Sequence, residues 1–81
     1  MSLDAIYEKL TDILRDTFDD EDVVARPELT ADQVDGWDSL AHMRLMRNVE
    51  KSFGIGFSAS QIDALKNVGD LATLIQSKVA A

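Results

Sequence analysis

Apolar residues in this chain recur every three or four positions, and nowhere do they alternate with period two over a useful length. Leu3, Ile6, Leu10, Ile13 and Leu14, with Tyr7 beside them, predict a first helix from about Leu3 to Thr17, entered through Ser2 as N-cap. A second stripe of Leu40, Met43, Met46, Val49 and Phe53, widened by Leu45, predicts a helix from about Ser39 to Ser52, with Gly54 as its stop. Ser58-Ala59-Ser60-Gln61 has the form of a capping box and predicts a short helix from about Ala59 to Leu65, burying Ile62 and Leu65. Asn67 is placed to cap a last helix, with Asp70 at its third position and Val68, Leu71, Leu74 or Ile75, and Val79 turned inward.

Between the first two helices runs a long polar segment, about Asp19 to Asp38. A connection of that length in a small domain needs its own packing or a function. Val23, Val24, Leu29 and Val34 are candidate anchors, Thr30-Ala31-Asp32-Gln33 a second capping box, and Gly36 a turn before the second helix. The predicted fold is all-α: a four-helix bundle with a long first loop and a short third helix. Its 81 residues amount to one domain, 1–81, expected to be monomeric. A domain this small has a thin core and little room for an internal active site.

Charge changes this picture more than composition does. Of the formal net charge of −7, residues 1–38 hold twelve acids against three bases, whereas residues 39–57 set only Glu50 against Arg44, Arg47 and Lys51. An acidic chain repels phosphate backbones, which argues against nucleic-acid binding. No apolar run approaches the roughly 20 residues of a membrane span, and the first ten residues do not resemble a signal peptide, so a cytoplasmic protein without membrane insertion is expected. The absence of cysteine excludes disulfides, thiolate zinc sites and a cysteine nucleophile. The acidic run Asp19 to Asp22 lacks the alternating ligands and central glycine of a calcium loop, so no metal site is expected.

Asp38-Ser39-Leu40 stands where the long loop meets the second helix. Taken alone the tripeptide reads as an ordinary helix cap. In the longer string Gly36-Trp37-Asp38-Ser39-Leu40, followed by Ile55-Gly56-Phe57 and Leu65-Lys66-Asn67-Val68-Gly69-Asp70-Leu71, it resembles the acyl carrier protein family over almost the whole chain. The resemblance implies a carrier that is a substrate of other enzymes and not itself an enzyme. It implies that Ser39 accepts 4′-phosphopantetheine from coenzyme A, through a phosphopantetheinyl transferase. The arm would then hold an acyl group as a thioester for acyl-loading and acyl-transfer enzymes. Asp38 is read as the helix cap or as a contact for the transferase, and Leu40 as packing under the site. Trp37 departs from the smaller residue usual in fatty-acid carriers. It is read as an anchor for the loop, and as a mark of discrete carriers of specialised pathways.

The resemblance also makes the second helix the surface that meets partner enzymes. Its candidate contacts are His42, Arg44, Arg47 and Lys51, a basic set where fatty-acid carriers are acidic. His42 lies one turn from Ser39, but no third group is evident to make it a general base. The gap between the second and third helices could shelter an acyl chain, with Met46, Phe57, Ile62 and Leu65 as candidate lining. Two rival readings are an aminoacyl or peptidyl carrier and a small acidic interaction module without the arm. The first more often carries a His-Ser or Gly-rich motif before the helix, which this chain lacks.

Overall fold

The computed structural model describes residues 1–79. It contains α1 (Leu3–Phe18), a 3-10 turn (Ala31–Gln33), α2 (Ser39–Phe53), α3 (Ala59–Asp63) and α4 (Val68–Val79), with no strand among the described residues. The four-helix, all-α expectation therefore holds, as do both capping boxes.

The first helix is central, packing against α2 and α4. Ile6, Leu10, Ile13 and Leu14 form its inward face, meeting Leu45, Met46 and Val49 of α2 and Val68, Leu71, Ala72 and Ile75 of α4 in one core. The short α3 contributes no fully buried side chain; Ile62 and Leu65 only lean on that core. Leu3 of α1 is exposed instead of buried.

A deeper departure concerns α2. Its buried positions are Ala41, Leu45, Met46 and Val49, whereas Leu40 is 83% exposed and Met43 46% exposed. The expected stripe of three-residue steps does not stay on one face. Three residues fall 60° short of a full turn, so positions 40, 43, 46 and 49 wind around the helix. The core selects the straighter set 41, 45, 46 and 49.

The long first loop is tied down at several points. Arg15 Nε–H donates to Val23 O at 2.9 Å, and Ala25 N–H donates to Thr11 Oγ1 at 2.9 Å. Val23, Ala25, Leu29 and Val34 are buried, while Val24, an expected anchor, is 48% exposed. At its far side the loop supplies acceptors to the start of α4. Val68 N–H donates to Leu29 O at 2.9 Å and Gly69 N–H to Pro27 O at 3.0 Å. These carbonyls satisfy amide groups that a helix N-terminus leaves without partners.

Gly69 is required by this approach. A Cβ there would sit 2.8 Å from Pro27 O and 3.2 Å from Pro27 Cα, both backbone atoms. Alanine normally gains about 1 kcal/mol over glycine in a helix. Overpacking against a held backbone costs about 1–3 kcal/mol. Gly69→Ala should therefore lower stability by about 1 kcal/mol, read as a fall in the urea midpoint. A rise would mean that the loop yields freely at Pro27.

Candidate functional site

The loop ends in a turn that sets up the start of α2. Gly36 adopts φ 85°, a left-handed conformation that L side chains resist, and no atom stands within 4 Å of where its Cβ would be. Trp37 N–H donates to Val34 O at 3.3 Å and Asp38 N–H to Gly36 O at 3.0 Å. Asp38 then caps the helix, its Oδ1 accepting from Ala41 N–H at 2.8 Å. The capping reading of Asp38 is thus realised in the fold.

Ser39 is the first helical residue and its side chain is exposed. Of the amide groups that open α2, those of Asp38 and Ala41 have partners in the turn and the cap; those of Ser39 and Leu40 have no intrahelical partner. A helix N-terminus with free N–H groups favours an anion. A phosphodiester on the Ser39 hydroxyl would carry its charge into that field, and no side chain need move to admit it. The residues present therefore fit a phosphopantetheine arm.

Trp37 and His42 occupy the N′ and N4 positions around the Asp38 cap, the pair that commonly packs as a hydrophobic staple. Here the staple is also polar. Trp37 Nε1–H donates to His42 Nδ1 at 3.0 Å, the two rings lie 6.1 Å apart at 23°, and Phe18 backs the indole at 5.3 Å. Only a neutral imidazole has a lone pair at Nδ1, which puts the ring proton of that tautomer on Nε2. The Nδ1 lone pair is thus engaged by Trp37 and not by Ser39. Trp37 anchors the loop, as its size suggested, but its bond to His42 was not foreseen. The N′ and N4 spacing was the available signal.

Two concavities meet at this pair. An open groove is lined by Ser39, Asp38, Met43, Ile62, Trp37 and His42, among others. Next to it is a small, partly open cavity of about 50 Å³, bounded by apolar side chains such as Met46, Leu65 and Leu71, by Trp37 and His42, and by the polar Lys66 and Asn67. Of the four residues proposed to line an acyl pocket, Met46 and Leu65 reach the cavity and Ile62 the groove. Phe57 lines neither; it packs on the core with the Lys78 ammonium 5.8 Å above its ring. Leu40 does not pack under the site as expected, because its position on α2 points outward.

Arg44, Arg47 and Lys51 are exposed and line one shallow surface with Asn48, Glu50 and Ile55. Among the described residues none of the three forms an ion pair. Glu50 is committed elsewhere: its Oε2 accepts from Phe57 N–H at 2.8 Å, tying α2 to the segment before α3. His42 is half-buried against Trp37 and stands apart from this basic group, so the expected set of four divides.

A family model for the phosphopantetheine attachment site matches residues 8–75. The chain belongs to the acyl carrier protein family. It is 32% identical to an acyl carrier protein of Coprothermobacter proteolyticus over 98% of this chain and 96% of that protein. It superposes with TM-score 0.85 on the solution structure of a holo acyl carrier protein from Geobacter metallireducens, at 45% identity over 96% of this chain and 85% of the other. The prosthetic group of this family is 4′-phosphopantetheine. No helix among the described residues is long and apolar enough to cross a membrane.

The cap at Asp38 gives the site a measurable energetic role. Asp38→Ala removes the acceptor for Ala41 N–H and should destabilise the fold by about 1 kcal/mol, as caps generally do. Asp38→Asn keeps an acceptor and should restore most of it. Equal loss in both variants, measured by thermal or urea unfolding, would assign the effect to charge and not to the cap.

Proposed function

We propose that Ser39 is the attachment point of the arm and that residues 1–81 act as one carrier domain. The observation that carries this reading is an exposed serine hydroxyl at the first position of α2, beside free helix N-terminal amides and at the edge of an open groove. A transferase has to reach the hydroxyl, which the exposure allows. Asp38 holds the helix start in place, and the amides of Ser39 and Leu40 face the phosphodiester charge. The arm supplies a terminal thiol that holds the cargo as a thioester, chemistry that a chain without cysteine cannot supply itself. The protein presents that cargo to other enzymes and catalyses none of their steps.

Ser39→Ala should fold like the native protein, since alanine suits a helix. Incubated with coenzyme A and a promiscuous transferase, the native chain should gain one arm by intact mass and the variant none. Modification of the variant, or an arm found on Ser58 or Ser60, would refute the assignment. Those two serines are the useful controls: both are exposed, but Ser58 Oγ accepts from Gln61 N–H as a cap.

Partner choice follows from the outward face of α2. Leu40 and Met43 give it an apolar end near Ser39, and Arg44, Arg47 and Lys51 surround the rest with positive charge. A partner with an acidic docking patch fits this face; one with a basic patch meets like charge, which costs several kcal/mol across an interface. The acids of residues 1–38 attract only at range, because screening within roughly 8 Å leaves the contact face to decide. The carrier therefore serves enzymes other than housekeeping fatty-acid elongation enzymes, in a specialised pathway. Arg44→Glu with Arg47→Glu should raise its kcat/KM with a standard ketoacyl synthase about tenfold or more, the factor that 1.4 kcal/mol represents. Should the native chain already match a fatty-acid carrier in that assay, the charge of α2 does not select the partner.

A further inference from the structure

We propose that the Trp37–His42 hydrogen bond is a latch between the Ser39 groove and the cavity next to it, and that it sorts cargo by length. The inference rests on Ser39 as the attachment point. Both concavities share Ala31, Trp37 and His42 as lining, and the two rings are the large side chains that border both. The indole is held from behind by Phe18 and in front by the bond from its Nε1–H to His42 Nδ1. The indole is therefore held on both sides, and the bond is the releasable hold.

The cavity is too small to be a finished binding site. An apolar cavity of roughly 150 Å³ accepts a benzene molecule; this one is about 50 Å³. An acyl chain has to widen it as well as enter it. Met46 on one side is unbranched and adapts readily to such a change. Leu65, at the end of α3, is only half-buried and sits outside any helix, so it too has room to shift. The bond between Trp37 and His42 is the directional contact that entry breaks.

The balance sets a length threshold. A hydrogen bond in a protein contributes about as much, net, as burying one or two methylene groups. An acetyl group has one methyl to bury and leaves the latch shut. An octanoyl chain carries several times the apolar surface needed to offset the lost bond, and opens it. Trp37 is the chain's only tryptophan and His42 its only histidine, so each gives one unambiguous signal.

The test uses the full chain loaded on its arm with acetyl, butanoyl or octanoyl groups, each verified by intact mass with the arm mapped to Ser39. The octanoyl form should shift the indole N–H resonance and lose its protection from solvent exchange, together with shifts at Met46 and Leu65. The acetyl form should leave the indole as in the unloaded holo protein. Trp37→Phe keeps the ring and removes the donor; in that variant butanoyl should move Met46 and Leu65, and its thioester should hydrolyse several-fold more slowly than in the native chain. Movement of Met46 and Leu65 by octanoyl with an unchanged indole signal would overturn the latch, since cargo would enter elsewhere. An unchanged cavity and indole would overturn it as well, with the cargo left in solvent. An arm mapped to another residue is read from the mass alone; it removes the attachment assignment, and the latch with it.

Discussion

The architecture turns on the backbone junction between the long loop and the start of α4. Two carbonyls, Pro27 O and Leu29 O, take the amide protons of Gly69 and Val68. That junction joins the anchors at Val23 and Ala25 in holding the segment from Asp19 to Asp38 against the bundle. With it, the loop becomes a wall of the bundle. It buries Val23, Ala25, Leu29 and Val34, and it delivers Asp38 and Ser39 to a defined point at the head of α2. The site is thus positioned by a helix that is distant in sequence. A domain this small buries a modest fraction of its surface, so such backbone contacts weigh heavily in holding the loop.

The head of α2 joins three physical effects in a few residues. A glycine with positive φ turns the chain, an aspartate closes the helix, and the serine after it faces outward beside unpartnered amides. None of these is unusual alone. Together they place a hydroxyl where an anionic substituent is welcome and accessible. The indole of Trp37 packs on Phe18 and the core, which ties the same turn to the bundle on the side away from solvent.

Much of this was legible in the order of residues. Both capping boxes, the Asn67 cap, the Gly54 stop and the inward face of α1 apart from Leu3 are local matters, decided within four residues, and the sequence pattern matches the structure there. Leu40 was misread because several apolar residues on α2 compete for one core face, and only the neighbouring helices decide among them. Leu45 and Ala41 won, leaving Leu40 and Met43 to solvent. Phe57 was misplaced for a similar reason: a segment without regular structure carries no periodicity to tell which way a ring turns. The Trp37–His42 bond lay hidden because histidine is rarely read as a staple partner.

Glu50 couples the charge of this surface to the fold. The inward residues of α2 answer to the core, and Arg44, Arg47 and Lys51 answer only to solvent and visitors. Those three sites can drift or be exchanged while the fold stays as it is. Glu50 answers to both, since its carboxylate holds the Phe57 amide. A change at Arg44, Arg47 or Lys51 alters the charge of this surface alone, whereas a change at Glu50 also releases the segment before α3.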